Sequence, residues 1–192
     1  MKRILAILIL TLSFQSWTKA DDIKDFEIEG MSIGDSLLDL FSIDEIKKAE
    51  ENPSYYPDKK FIVIFLNKES DQYDEIEVTY KTNDKNYELA GIVGKIIYSN
   101  NYEKCKKNMI KIVNQFKLIF KNADLSEDEG PHSYNSQSIV NKSDFYLKTG
   151  GLARVSCTDW SEEMFTKNGW EDNLKVQMIG EEFNIYLSKI YD

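Results

Sequence analysis

The chain has 192 residues, with 24 basic and 33 acidic side chains, and its formal net charge at pH 7 is −9. A negative electrostatic field repels phosphate groups, so we expect no nucleic-acid binding and no attachment to anionic membranes by general attraction. The length corresponds to about one domain, which is large enough to bury a hydrophobic core.

The first 20 residues have the composition of a cleavable export signal. Lys2 and Arg3 precede an uncharged apolar stretch over residues 4–12, and Thr18 and Ala20 supply small side chains at the cleavage positions. An apolar run of roughly 10 residues is too short for a helix that crosses about 30 Å of hydrocarbon. We therefore predict cleavage after Ala20, with an uncleaved anchor as the alternative. The mature domain, residues 21–192, is expected in the periplasm or outside the cell, without a membrane span.

Two cysteines, Cys105 and Cys157, remain in the predicted mature domain. Disulfides persist in the oxidising compartments that exported proteins reach, so an even cysteine count predicts that the two pair. The alternative is a pair of free nucleophilic thiols. It is disfavoured because the cysteines lack the C-x-x-C spacing and have no neighbouring histidine.

The first half of the domain is predicted to contain short helices and strands. Phe26 and Ile28 alternate with acidic residues, as in a short strand, and apolar spacing predicts a helix over residues 37–41. Ser42 and Glu45 form a capping box for a second helix. Further strands are predicted at 61–66, 75–80 and 89–98, the first of them a central strand covered on both faces. Glycines 91 and 94 within the last strand predict a bulge or a close backbone approach.

The second half begins with the most regular pattern in the chain. Apolar residues at steps of three and four predict an amphipathic helix over 102–120, with Cys105 on its buried stripe. The polar stretch 122–137 is predicted to be a loop. Strands follow at 145–147 and 153–157, joined by a hairpin at Gly150 and Gly151. A strand at 174–178 and a closing helix at 183–190 complete the prediction.

A helix followed by three strands thus occurs twice, over residues 34–100 and 101–180. This order suggests two duplicated halves within one α+β domain of antiparallel sheets and packed helices. No sequence identity between the halves supports the suggestion, which depends on element order alone.

Three segments resemble a family of uncharacterised exported proteins from AT-rich marine alphaproteobacteria. They are the opening IEGMSIGDSLLD at 28–39, the stretch GKIIY at 94–98 followed by Cys105, and the run VSCTDWSEE at 155–163. The resemblance covers the mature chain and implies no particular activity. A looser likeness links Gly-Met-Ser and the apolar helix after it to small outer-membrane assembly lipoproteins and β-lactamase-inhibitor-type domains. This chain lacks the lipid-modified cysteine of those lipoproteins.

Few residues suggest catalysis or metal binding. His132 is the only histidine, and its sequence GPHS lacks a nucleophile elbow, so an exposed loop histidine is expected. Asp124, Glu127, Asp128 and Glu129 offer oxygen ligands but do not follow the spacing of a calcium-binding loop. A solvated acidic segment is the favoured interpretation, and we predict neither a metal ion nor a cofactor.

Two groups of residues suggest a surface for a partner. Trp160 and Trp170 lie beside acidic residues near the end of a predicted strand, where rigid rings can anchor a ligand or a protein. The favoured interpretation is a purely structural one, in which both rings cap the core beside the disulfide. Lysines 104, 107 and 111 lie on the exposed side of the long helix, where they can receive an acidic partner or simply balance the protein's own carboxylates.

The expected function is therefore a non-catalytic binding or protein-interaction module, with an envelope protein as the partner. The first alternative is a small periplasmic enzyme or solute binder that uses carboxylates with Arg154 or His132. The second is an inhibitor or envelope-assembly factor, as the looser likeness implies. An enzyme requires a concave pocket with converging polar groups, whereas an interaction module presents an aromatic patch or an open sheet.

Overall fold

One antiparallel sheet contains every strand of the computed structural model, which describes residues 22–191. The strands are β1 (Ser54–Tyr55), β2 (Phe61–Leu66), β3 (Glu75–Lys81), β4 (Leu89–Ile97), β5 (Asp124–His132), β6 (Asn135–Tyr146), β7 (Leu152–Asp159) and β8 (Asn173–Ile179). Their order across the sheet is β1-β2-β3-β4-β8-β7-β6-β5. The predicted export signal lies outside the described residues.

Helices cover parts of both faces of this sheet. Those in residues 22–191 are α1 (Ile43–Ala49), α2 (Tyr102–Ile119), α3 (Glu162–Asn168) and α4 (Glu181–Tyr191). Helix α2 packs on β7 and β8, and α4 contacts β4. The predicted α+β class is therefore confirmed. None of the helices within the described residues combines the length and the hydrophobicity that a membrane-spanning helix requires.

The alternation of side chains along the strands creates two hydrophobic clusters on opposite faces. Ala153, Val155 and Cys157 of β7 join the larger cluster, which also contains the buried stripe of α2. Leu152 and Ile179 point the other way and pack with Phe183 and Tyr186 of α4. We call the face that is turned away from α2 the open face, because among residues 22–191 the helix that packs on it is α4, at one end.

The predicted disulfide between Cys105 and Cys157 is present and joins α2 to β7, with 6.0 Å between the two Cα atoms. Both residues are fully buried. The helical spacing placed Cys105 on the buried side of α2, and the strand alternation placed Cys157 on the facing side of β7. The bridge therefore fastens the helix to the sheet from within the core.

The predicted polar loop at 122–137 is wrong, because these residues form β5 and the start of β6. Strand β5 is the last strand of the sheet, and nearly all its side chains are exposed. An edge strand with both faces in water needs no apolar alternation, so its sequence resembles a loop, while its backbone pairs with β6. The ion pair between Lys106 and Glu129, at 3.1 Å, and the pair between Lys117 and Glu127, at 3.2 Å, connect β5 to α2.

The N-terminal segment also differs from its prediction. The expected strand around Phe26 and Ile28 is a 3₁₀ turn at Ile23–Asp25 followed by a single bridge between Ile28 and Met31. The expected helix over 37–41 is one 3₁₀ turn at Leu37–Asp39. Phe26, Ile28 and Leu37 are buried, whereas Leu38 and Leu40 are exposed. The segment packs along the core as irregular backbone because positive φ angles interrupt it at Glu29, Gly30 and Gly34.

The strand order is symmetrical about the contact between β4 and β8. Strands β1 to β4 form one side of the sheet, and β5 to β8 form the other side in the same sequence from edge to centre. Each half therefore contributes four strands to one shared sheet, instead of the three that the sequence predicts. The second half differs from the first because α3 is inserted between β7 and β8.

The glycines of β4 have the two roles that the sequence predicts. The pairing of β3 with β4 shifts register between Thr79 and Tyr80, next to Gly91. At Gly94 the ring of Tyr73 lies directly against the backbone, in the space that a Cβ atom would occupy.

Removal of the disulfide should destabilise the fold strongly. We expect the variant with Cys105→Ala and Cys157→Ala to lose about 4 kcal/mol of unfolding free energy, because the bridge closes a long loop of the unfolded chain. Equilibrium denaturation of the oxidised protein and the variant measures the loss. A difference below about 1 kcal/mol would contradict the expectation.

A substitution at Gly94 should lower the unfolding free energy more than a substitution at another strand glycine. Gly94→Ala forces the Tyr73 ring to move, so we expect a loss of about 1–3 kcal/mol. Gly130→Ala in β5 is the matched control, since a Cβ there meets nothing within 4 Å. Thermal and chemical unfolding of both variants tests the difference, and equal losses would argue against the contact.

Candidate functional site

The open face carries a set of cross-strand ion pairs. Four basic side chains each contact a carboxylate: Lys95 with Glu75 at 2.7 Å, Lys175 with Glu77 at 3.4 Å, Arg154 with Asp144 at 2.5 Å, and Lys142 with Asp128 at 3.6 Å. This part of the surface is therefore balanced in charge, although the whole chain is acidic.

Four aromatic side chains meet at the end of the sheet that lies away from α4. The centroid of the Trp160 ring is 4.6 Å from that of Trp170 and 4.5 Å from that of His132. Tyr134 extends the row, with its ring centroid 5.1 Å from Trp170. We call His132, Tyr134, Trp160 and Trp170 the aromatic cluster. Tilted rings at these separations attract one another, so each contact adds to the apolar burial.

Three separate segments bring these rings together. Trp160 follows β7 and precedes Ser161, whose side chain caps α3. Trp170 follows Gly169, which ends α3 with a φ of 69°, in the left-handed conformation that glycine adopts without strain. His132 is the last residue of β5, and Tyr134 lies in the turn between β5 and β6. The cluster is therefore a product of the α3 insertion and the edge hairpin.

Hydrogen bonds fix the hairpin turn against the start of α3. The buried Ser138 hydroxyl accepts a hydrogen bond from the backbone N–H of Ser161 at 3.0 Å. The same hydroxyl lies 3.1 Å from Oδ1 of Asn135, which also accepts from the backbone N–H of Ser138. These contacts hold the turn in register, so the rings it carries have a defined position.

His132 is held in its neutral form by its surroundings. Its Nδ1 accepts a hydrogen bond from the backbone N–H of Tyr134 at 3.1 Å, which requires an unprotonated nitrogen. Partial burial lowers the pKa of the imidazole below its usual value, and the positive charge of Lys175 lowers that pKa further. The expectation of an exposed loop histidine is therefore wrong, because this hairpin is folded onto Trp160.

A pair of carboxyl groups, Asp159 and Asp172, lies next to the Trp160 backbone. The buried Asp172 accepts a hydrogen bond from the backbone N–H of Trp160 at 3.0 Å. Burial raises the pKa of the Asp172 carboxyl, and the nearby Asp159 raises it further. These groups line a shallow depression with Tyr102 and Glu103. Within residues 22–191 no group of three or more histidine, cysteine, aspartate or glutamate side chains is arranged to hold a metal ion.

The structure brings together the two tryptophans of the predicted partner surface but not the three lysines. Trp160 and Trp170 are in contact, and neither belongs to the two hydrophobic clusters, so the favoured interpretation of both rings as caps on the core does not describe them. Lys104, Lys107 and Lys111 lie on the solvent side of α2, which packs on the other face of the sheet. The Lys104 ammonium lies over the Tyr98 ring, and Lys111 donates to Asn108.

The side chains proposed for catalysis are already engaged. Arg154 donates two hydrogen bonds to the Asp144 carboxylate, at 2.5 and 2.7 Å, and that carboxylate is 4% exposed. His132 packs against Trp160. The sequence prediction missed Tyr134 because it lies in the stretch taken for a loop, and the short sequence HSYN between two extended segments was the available signal for a hairpin turn.

No protein-family model matches the chain, and neither a curated protein nor a solved structure matches it significantly. The functional interpretation therefore depends on the geometry of the chain itself.

The pair between Arg154 and Asp144 should matter for stability. Arg154→Ala leaves a buried carboxylate without its partner, so we expect a loss of about 3 kcal/mol in unfolding free energy. The control is Lys142→Ala on the same face, whose more exposed pair with Asp128 should cost less than about 1 kcal/mol. Denaturant unfolding of both variants at pH 7 measures this difference, and a loss from Arg154→Ala no larger than the control's would contradict it.

Proposed function

We propose that the protein is an exported, non-catalytic interaction module that docks an envelope protein through the aromatic cluster and the adjacent open face. One observation carries the proposal: four rings from three segments form a contiguous surface outside both hydrophobic clusters. Tyr134 at its end is 67% exposed. Aromatic side chains provide large contact areas at low entropic cost, and tryptophan and tyrosine dominate the binding energy of many interfaces.

The open face supplies the features expected around such an anchor. Its ion pairs are only partly exposed, with side chains held between neighbouring strands. Fixed polar groups around an apolar centre favour one orientation of a partner, whereas a flexible surface would lose entropy on binding. The balanced charge also avoids the repulsion that the acidic remainder of the chain would exert on an acidic partner.

Export to the periplasm or beyond is part of the proposal. It is supported by the charged and apolar pattern of residues 1–20 and by the disulfide, which is typical of oxidising compartments. Membership of the exported family that residues 28–39 resemble belongs to the same proposal. The alternative enzyme or solute binder has less support, because Arg154 and His132 have structural partners.

The test compares partner capture from envelope extracts by four tagged forms of the protein, the wild type and three variants. We expect Trp170→Ala and Tyr134→Ala each to reduce capture about tenfold, because removing an aromatic anchor costs more than about 1 kcal/mol. Leu118→Ala is the matched control, since Leu118 is 60% exposed on α2 and lies on the other face of the sheet.

The captured protein must then bind the purified forms, and their affinities must rank in the same order as the amounts that they captured. Circular dichroism and unfolding curves establish that all forms are folded. Equal capture by the cluster variants and the wild-type protein would contradict docking at this surface. Turnover of a small molecule that requires Arg154 or His132 would favour the alternative.

A further inference from the structure

The aromatic cluster contains the chain's only histidine, His132, which ends β5 and hydrogen-bonds to the β5–β6 turn. Nδ1 of His132 accepts the backbone N–H of Tyr134, two residues further on, while its ring contacts Trp160. Tyr134 in turn contacts Trp170. One imidazole thus connects the conformation of the β5–β6 turn to both tryptophans.

Protonation of this imidazole is incompatible with the observed hydrogen bond. A neutral histidine with its proton on Nε2 offers Nδ1 as an acceptor, whereas an imidazolium carries a hydrogen on both nitrogens. A proton taken from solvent by Nδ1 would therefore face the N–H of Tyr134, so that two donors point at each other. The turn must then open or rotate to relieve this arrangement.

We propose that His132 is a pH sensor that releases the β5–β6 turn from Trp160 and Trp170 when it takes up a proton. The consequence for partner binding rests on the proposed function, but the conformational step does not. The exposed end of the aromatic cluster then has two states. It is packed when the imidazole is neutral and open when the imidazole is charged.

The charged groups around His132 act in opposite directions. Lys175 on β8 opposes a second positive charge, and partial burial also disfavours the imidazolium. The Trp160 ring offers a cation–π attraction, which is about 0.5–1 kcal/mol at exposed sites. Two carboxyls also lie near Trp160: Asp159 precedes it in the chain, and Asp172 accepts its backbone N–H. The lost hydrogen bond and the repulsion from Lys175 outweigh the single attraction of the ring.

The linkage between protonation and folding has a definite sign. The pKa of His132 is lower in the folded protein than in the unfolded chain, so the unfolded chain binds this proton more readily. The stabilisation from the neutral imidazole is therefore complete above about pH 6.5 and is lost as the pH falls through the folded-state pKa.

Tryptophan fluorescence tests the proposal directly. In the full chain with Trp17→Phe, the two remaining tryptophans both belong to the aromatic cluster. We expect the emission maximum to shift to longer wavelength, as the indoles become exposed to water, in a single transition whose midpoint lies below about pH 6.5.

Two substitutions at His132 separate this effect from the carboxyls. His132→Asn places an amide oxygen near the position of Nδ1, which can accept the Tyr134 N–H without titrating, so emission should stay unshifted between pH 7.5 and 4.5. His132→Ala removes the ring and the acceptor, so emission should be shifted at every pH. The ¹⁵N resonance of the Tyr134 amide should move with the wild-type transition only.

A shift in the wild type that is absent in His132→Asn supports the proposal. The same shift in both forms would assign it to a group other than His132 and overturn the proposal, as would a constant emission maximum in the wild type. Because no partner is needed, a negative result here leaves the docking test unaffected. Failure of the docking test likewise leaves this sensor intact.

Discussion

The pairing of β4 with β8 is the contact on which the architecture depends. Residues 91–97 of β4 pair in an antiparallel ladder with residues 173–179 of β8, and this ladder joins the two halves of the chain into one sheet. Close packing here requires the glycines of β4, since Phe183 of α4 lies 3.0 Å from the position of a Cβ at Gly91. Without this ladder the halves would expose two further strand edges, which are prone to aggregation.

Fusion of the halves into one sheet also determines which surfaces remain accessible. Helix α2 and the N-terminal segment fill one face, and the disulfide fixes α2 to β7. Among residues 22–191, the helix on the other face is α4, which covers one end of it and leaves a strip of half-buried ion pairs between α4 and the aromatic cluster. In the proposed function this incompletely covered face is the interaction surface. Its polar side chains are paired with one another and so tolerate both water and a partner.

The edge hairpin shows how a polar segment acquires a precise position. Strand β5 has almost no buried side chain of its own, yet its backbone pairs along its length with β6, and its carboxylates contact lysines of α2. The turn beyond it is held by Asn135, Ser138 and Ser161. Rings on and beside such a turn are exposed and also held in place, and in the proposed pH response the titratable His132 changes the turn without disturbing the core.

The sequence by itself determined the elements that bury an apolar stripe or alternate regularly. Local periodicity predicts the capping box of α1, the long helix α2 and the strands β2, β3, β4, β7 and β8, because each of these patterns is complete within a few residues. Cysteine chemistry predicts the disulfide. Only the tertiary structure decided that β5 is a strand, because an exposed edge strand needs pairing and no apolar pattern. It likewise decided that His132 and Tyr134 join Trp160 and Trp170, since contacts between distant segments depend on strand order and on the α3 insertion, which no local pattern encodes.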